Sequence, residues 1–198
     1  PPPSSPTERS YTTSWDTAVP LDEQDTSLWD ARMMDGADLA LRLAARTPTL
    51  GRYQIESAIA AAHADRRHGR RTDWAAIVVL YRGLVALHPT TGALAGLAAA
   101  LAEAGAPADG LAVLEQADPT HAIAYQPWWA VRAHLLAASS DTVSALAACD
   151  RATALSHDPA VRSFLARRKA LLLSMMTLRC RNRGGAERHG SKARRRFP

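Results

Sequence analysis

The sequence predicts an all-α protein of about eight helices, arranged as helical hairpins that stack into a solenoid with disordered ends. Three candidate helix starts lie 34 residues apart, at Thr72, Ala106 and Ser140, and 34 residues is the length of one tetratricopeptide helix–turn–helix unit. A proline follows each of these helices, and proline cannot continue a helix because it lacks the amide N–H. Alanine and leucine, which favour helix, supply most of the apolar residues. Such a stack is typical of proteins that bind other molecules.

The first two helices are expected over residues 27–46 and 52–65. Acidic residues at the start of the first helix favour its positively polarised N-terminus. Leu39, Leu43 and Met33 are expected to line its packing face.

The third helix has the clearest start, because Thr72 is a good N-cap and Asp73 follows it in the first turn. Apolar residues then recur at intervals of three and four. The fourth helix, over residues 92–104, contains small residues throughout, which lets two helix backbones approach closely. Gly105 is expected to cap its C-terminus.

Four further helices complete the predicted stack. Pro107 opens the fifth at a position where a missing N–H costs nothing. The sixth opens at Pro119 or Thr120, and the seventh and eighth follow N-caps at Ser140 and Asp158.

The two ends of the chain differ in composition from the helical part. Residues 1–20 are rich in Pro and Ser and predict a disordered lead-in, whereas residues 21–176 form the tetratricopeptide-like domain. Residues 177–198 predict a basic disordered tail, with eight Lys or Arg and one Glu from residue 179 onward. The rest of the chain carries 16 basic and 18 acidic residues. This near-neutral body lacks the electrostatic footprint of a nucleic-acid-binding domain.

Cysteine content and hydropathy indicate a cytoplasmic protein without membrane contact. Cys149 and Cys180 are too few for a disulfide framework, which favours a reducing compartment. The N-terminus lacks the apolar stretch of a secretory signal. No run approaches the roughly 18 apolar residues of a membrane span.

Nothing in the sequence predicts an enzyme, a metal site, a cofactor or a small-molecule ligand. His63 and His68 are five residues apart next to an Arg-rich loop, whereas His pairs that share a metal on a helix are four apart. His63 is instead expected to pack at a helix end. Cys149 lies among alanines and is expected to be a small buried side chain.

Aromatic residues supply the candidate partner contacts. Trp128 and Trp129 are adjacent, so on a helix they point about 100° apart and cannot both face the same core seam. One of them is expected on an interaction surface, where Trp is favoured, and Tyr125 is expected to join it. A second group of candidate contacts lies at the start of the domain: Asp22, Gln24, Asp25 and Trp29.

The basic tail supplies a candidate nucleic-acid contact, because cationic side chains release the counterions condensed on nucleic acids. It lacks interleaved aromatic residues that would stack on bases, so any binding is expected to be sequence-nonspecific. The candidate residues are Arg179, Arg181, Arg183, Arg194, Arg195 and Arg196.

Several segments resemble, in order, motifs of one protein family. Residues 21–30, LDEQDTSLWD, are similar to the pattern L-x-D-Q-D-R-x-x-W-D. Residues 51–64 are similar to G-x-Y-Q-L-x-A-A-I-A-A-x-H-A, and residues 72–81 to T-D-W-x-x-I-x-x-L-Y. These motifs are typical of the C-terminal tetratricopeptide-like domain in a subgroup of extracytoplasmic-function (ECF) RNA polymerase sigma factors, of the sigma-70 superfamily.

The resemblance implies a regulatory domain that acts through protein contacts, with sigma-factor core regions or RNA polymerase as partners. In that family, the polymerase-binding and promoter-reading regions two and four precede this domain. Neither region is expected in this sequence, so the chain is expected to be a truncated or diverged copy. DNA would then be contacted only indirectly or through the tail. Gly96 and Leu97 replace an Asn and an Arg of the family pattern, which predicts the loss of a polar contact between helices. The alternative interpretation is a basic-tailed, helical nucleic-acid-binding protein.

Overall fold

The computed structural model describes residues 19–193, and it describes side chains for residues 19–177 except Asp22. Within residues 19–193 the chain forms nine α-helices and short 3-10 turns, with no β-strand, which confirms the all-α prediction. The helices are α1 (Ala31–Ala44), α2 (Arg52–Ala64), α3 (Trp74–Leu87), α4 (Thr91–Glu103), α5 (Pro107–Leu114), α6 (Pro119–Ala122), α7 (Gln126–Ala138), α8 (Thr142–Leu155) and α9 (Pro159–Ala193).

Helices that follow one another in the chain pack together as hairpins. α3 packs on α4, α5 on both α4 and α7, α7 on α8, and α8 on α9. The first helices of the three repeats, α3, α5 and α8, begin at Trp74, Pro107 and Thr142, close to the predicted interval. The helical-hairpin architecture is therefore as expected, and a continuous solenoid stays a prediction.

Asp73 and Asp141 are the N-caps of α3 and α8, two of the three helices that begin a repeat. In each case the sequence predicted the residue one position earlier as the N-cap. The Asp73 carboxylate accepts a hydrogen bond from the Ala76 N–H at 2.9 Å, and Asp141 accepts one from the Ser144 N–H at 3.1 Å. The predicted caps at Thr72 and Ser140 are therefore wrong by one residue. Ser140 has a positive φ of 66°, and this left-handed conformation closes the helix before it instead of opening the next one.

α4 is the centre of the core, and it buries seven residues against α3, α5 and α7. Its small residues permit this close packing, as predicted. A Cβ atom at Gly96 would lie 2.3 Å from the Tyr81 ring, so the ring occupies the space next to the position where the family pattern has Asn. Gly105 ends α4 with a φ of +87°, and the Ala106 N–H bonds to the Leu101 carbonyl at 2.8 Å. The predicted C-cap is thus confirmed.

The predicted sixth helix is divided into α6 and α7. α6 is a single turn, and three residues separate it from α7. The sequence interpretation overlooked Pro127, which lies in the first turn of α7. Proline has no N–H to bond to a carbonyl in a preceding turn, so it favours a helix start at this point.

The packing face of α1 differs from the predicted one. Leu39, Leu43 and Met33 are 60%, 52% and 73% exposed, whereas Met34 and Leu41 are half-buried. The prediction of the first three as the packing face was therefore wrong. Both sets of residues follow helical spacing, and the position of α2 decides which stripe packs.

The last helix is longer than the sequence predicted. α9 continues to Ala193, although its pattern was expected to end near residue 176. No proline follows the one that opens this helix until residue 198, so no proline ring interrupts it. None of the helices in residues 19–193 has the combination of length and apolarity that crossing a bilayer requires.

Candidate functional site

A cleft of about 970 Å³ lies between the N-terminal part of the chain and α2. One wall consists of α1 and the segment before it, and the other wall is α2. We term it the α1–α2 cleft. Its principal apolar lining residues are Leu21, Trp29, Met33, Met34, Ala37, Leu41, Ile59 and Ala60.

Polar contacts hold α1 to the rest of the chain on either side of the cleft. The Gln54 side-chain amide donates to the Ala44 carbonyl at 2.6 Å, at the C-terminal end of α1. Nearer its N-terminal end, the Arg67 guanidinium lies 2.6 Å from Asp38 and 3.2 Å from Asp35. Between these contacts the two helices do not close on each other, and α1 contains no buried residue. The cleft is therefore a gap between two tethered helices.

The cleft is acidic as well as apolar. Its described lining includes the carboxylates of Asp30, Asp38 and Glu56 and no Lys or Arg, although Asp38 is paired with Arg67 and Glu56 with Arg52, which both lie outside the lining. The segment 21–30 at its mouth contains four carboxylates and no Lys or Arg. His63 also lines the cleft, where burial and then the positive charge of Arg66 lower the pKa of its imidazole.

Two of the candidate contacts at the start of the domain line this cleft. Gln24 and Trp29 both belong to its wall. Asp25 instead caps a 3-10 turn, because its carboxylate accepts a hydrogen bond from the Ser27 N–H at 2.9 Å. The side chain of Asp22 lies outside the described part of the structure.

Trp128 and Trp129 both have structural partners. The Trp128 indole N–H donates to the Leu114 carbonyl, and the Trp129 indole N–H donates to the Ile123 carbonyl, each at 3.1 Å. The two rings contact each other edge to face, with centroids 4.9 Å apart. They pack against different core clusters, as their 100° separation requires. Both are half-buried, so core packing accounts for much of their surface, and their role as partner contacts stays a prediction.

Tyr125 lies at the N-cap of α7 and lines a second, more polar cavity of about 310 Å³. This cavity lies between α2, α3 and α4, with Arg52, Tyr81 and His88 in its wall. The Arg52 guanidinium is already paired with Glu56 at 2.8 Å. Tyr125 therefore faces a different concavity from the α1–α2 cleft.

The side chains of the candidate nucleic-acid contacts lie outside the described part of the structure. Arg179, Arg181 and Arg183 lie on the backbone of α9, but their side chains are outside the described part. Arg194, Arg195 and Arg196 lie outside the described residues altogether.

A cluster of ionisable side chains joins three helices away from both cavities. His134 of α7 lies between Glu103 of α4, with Nε2 to carboxylate at 3.1 Å, and Arg168 of α9, whose guanidinium contacts Nδ1. Because a guanidinium can only donate hydrogen bonds, Nδ1 must accept one from Arg168. Nε2 then carries the ring hydrogen and donates a hydrogen bond to the Glu103 carboxylate. Burial, followed by the Arg168 charge, lowers the pKa of His134 despite the opposing effect of Glu103. The structure therefore requires a neutral imidazole.

We expect this cluster to make stability depend on pH. In the unfolded chain His134 titrates near its ordinary pKa of about 6.5, and in the folded chain it titrates lower. Between these two values the unfolded state binds more protons, so the free energy of unfolding falls as pH decreases. Urea unfolding between pH 7.5 and pH 5 measures how steeply the free energy of unfolding changes with pH. In the variant His134→Gln the slope should decrease, leaving the part due to His63, and an unchanged slope would contradict the assignment.

Cys149 and His63, which the sequence predicted to be packing residues, both contact other parts of the fold. Cys149 is fully buried, its thiol contacts the Leu165 carbonyl at 3.4 Å, and burial raises its pKa. This agrees with the prediction of a small buried side chain. His63 packs edge to face on Trp74, with ring centroids 5.3 Å apart. Within the described part of the chain, no three His, Cys, Asp or Glu side chains are grouped so that they could hold a metal ion.

Comparison with known proteins finds a relative whose own function is uncharacterized. The chain is 31% identical over 147 residues to an uncharacterized protein of Rhizobium meliloti (strain 1021), an alignment that covers 74% of this chain and 34% of that protein. The chain therefore spans about a third of the length of this relative. No protein-family model and no solved structure matches the chain.

Proposed function

We propose that this chain is a protein-interaction module that regulates a bacterial RNA polymerase sigma factor of the ECF type. The observation that carries the proposal is the position of the two most distinctive motifs. Residues 21–30 and residues 51–64, which resemble separate motifs of the ECF regulatory domain, supply opposite walls of the α1–α2 cleft. Two of the three motifs lie on the two sides of one cavity, which supports a shared binding role for that cavity, whereas the third motif, residues 72–81, does not line it.

In this proposal the hairpin stack is a scaffold, and the cleft is where the partner docks. The partner is the polymerase-binding core of a sigma factor or RNA polymerase itself, and the compartment is the bacterial cytoplasm. The chain carries out no chemistry, and it changes transcription initiation by occupying or orienting its partner. The stack would extend as a superhelix, in which α4 and α7 form part of a continuous core.

Binding of purified sigma-factor regions two and four to the full chain tests the proposal. The variant Trp29→Ala, which alters the cleft wall, should weaken binding by at least about tenfold, or about 1.4 kcal/mol. The control Val143→Ala alters a side chain that is 71% exposed on α8 and should bind as the unchanged protein does. If neither sigma regions nor RNA polymerase bind at low and at moderate salt, the proposal is wrong.

The basic tail supports a second candidate function, sequence-nonspecific binding of nucleic acid. Its eight Lys or Arg against one Glu would attract phosphates through counterion release. Removal of residues 179–198 should abolish nucleic-acid binding and leave sigma-factor docking intact. Retention of nucleic-acid binding after this deletion would exclude the tail as its source.

A further inference from the structure

We propose that the α1–α2 cleft binds an amphipathic helix whose apolar edge is flanked by Lys or Arg residues. The inference rests on the proposed function in one respect, that this chain is an interaction module. It adds the chemistry and the secondary structure of the segment that the module recognises.

The shape of the cleft favours a helix. Its lining residues extend from Met33 to Ala44 on α1 and from Tyr53 to Ala64 on α2, so the gap follows almost the whole of both helices. α1 has 14 residues and is therefore about 21 Å long. A trough of this length between two helices matches a third helix laid along it. Addition of a peptide strand to a free sheet edge is not available here, because residues 19–193 contain no strand.

The burial pattern indicates an unfilled packing position. α1 has no buried residue, whereas every other described helix of eight residues or more buries at least two. Its inner stripe, Met34 and Leu41, is only half-buried, and Ala37 between them is exposed. A partner helix would remove this apolar surface from water, which is the main favourable term in association. Methionines on the wall adapt to different partner side chains, because the thioether chain is flexible and polarisable.

The charges around the cleft select a basic partner. Arg67 is shared by Asp35 and Asp38, so two carboxylates are paired with one guanidinium. The segment 21–30 beside the cleft also contains Glu23 and Asp25 and no Lys or Arg, and the Arg66 guanidinium contacts its Leu21 carbonyl. Negative charge along an apolar trough attracts Lys or Arg beside an apolar edge and repels acidic helices.

Two synthetic peptides and a fluorine label test the inference on the full chain. Both peptides have about 18 residues, enough for a marginal helix, with leucine at i, i+3, i+4 and i+7. One carries lysine beside the leucine edge, and its twin carries glutamate at the same positions. Incorporating 5-fluorotryptophan gives each of the five tryptophans a separate resonance. Trp29 then reports on the cleft, and Trp128 reports on the core.

The lysine peptide should shift the Trp29 resonance, leave Trp128 in place, and bind at least about tenfold more tightly than its glutamate twin at low salt. Ala37→Phe fills the trough and should weaken binding by about tenfold. The control Leu39→Phe adds an aromatic ring two residues away, outside the cleft, and should have no effect. An unchanged Trp128 resonance verifies that each variant is folded.

Several results would overturn the inference. The inference is wrong if the lysine peptide leaves the Trp29 resonance unchanged, or if the two peptides bind equally tightly. It is also wrong if the lysine peptide binds the Ala37→Phe variant as tightly as the unchanged chain. Self-association in sedimentation that Ala37→Phe removes would assign the cleft to a second copy of the chain instead. The sigma-factor assignment is tested separately, because the lysine peptide would still bind if no sigma region does.

Discussion

Replacing Trp128 with alanine is expected to lower the free energy of unfolding by about 3 kcal/mol. The indole packs against the α4–α5–α7 core, contacts the Trp129 ring, and donates to the Leu114 carbonyl at 3.1 Å. The Arg132 guanidinium also lies 5.2 Å from the centre of the ring. Truncation to alanine loses these contacts together and leaves a void that the adjoining helices only partly close. The value lies at the lower end of the range for large aromatic residues because the side chain is half-buried.

Urea unfolding at pH 7.5 measures this loss, and two variants separate its causes. Trp128→Phe keeps a ring but removes the hydrogen bond, so it should cost less than alanine does. Tyr125→Phe removes only a hydroxyl from a partly exposed side chain and serves as the control. A loss below about 1 kcal/mol in Trp128→Ala would mean that core packing does not explain this residue. The prediction that Trp128 contacts a partner would then be better supported.

Replacing Gly110 with alanine is expected to lower the free energy of unfolding by about 2 kcal/mol. A Cβ at this position would lie 2.7 Å from the Ala98 carbonyl oxygen and 2.6 Å from a methyl of Leu135. The first of these is backbone of α4, so α5 would have to move away from the centre of the core. The gain in helix propensity from Gly to Ala is only about 1 kcal/mol and does not offset this.

Gly36→Ala is the matched control, since it makes the same chemical change within a helix. No atom lies within 4 Å of a Cβ built at Gly36, so only propensity acts. Stability should rise by about 0.5–1 kcal/mol, provided that α1 unfolds together with the rest. Thermal or urea unfolding of the two variants should therefore show opposite signs. If Gly110→Ala also stabilises the chain, α4 and α5 do not approach as closely as the structure places them.

Several helix starts could be predicted because their signals are local. A proline or an Asp at a helix start acts within one turn, so Pro107, Asp158 and the region of Asp73 could be identified from neighbouring residues alone. The error of one residue at Ser140 has the same origin. Ser and Asp are equally good N-caps by composition, and only the left-handed φ of Ser140 distinguishes them.

The cleft could not be predicted because its cause lies in contacts between distant residues. Gln54 and Ala44, and Arg67 and Asp38, are separated in sequence by 10 and 29 residues. Sequence patterns identify an amphipathic stripe on α1, but they do not report how far away the next helix stops. The resemblance to sigma-factor domains singled out Gln24 and Trp29 as candidate contacts, and the structure brings both to the cleft wall. It did not indicate the methionines and alanines that α1 contributes to the apolar trough.

If the α1–α2 cleft is the docking site, as proposed, the exposed position of α1 separates recognition from folding. Because this helix contributes little to the common core, substitutions on it would then change what the chain binds while the α3–α8 body keeps most of its stability. Residues such as Gly96 and Gly110, where helices touch backbone or ring, have no such freedom. Divergence among relatives is therefore expected to accumulate in the N-terminal hairpin, so that one scaffold acquires new specificities by altering a single peripheral helix.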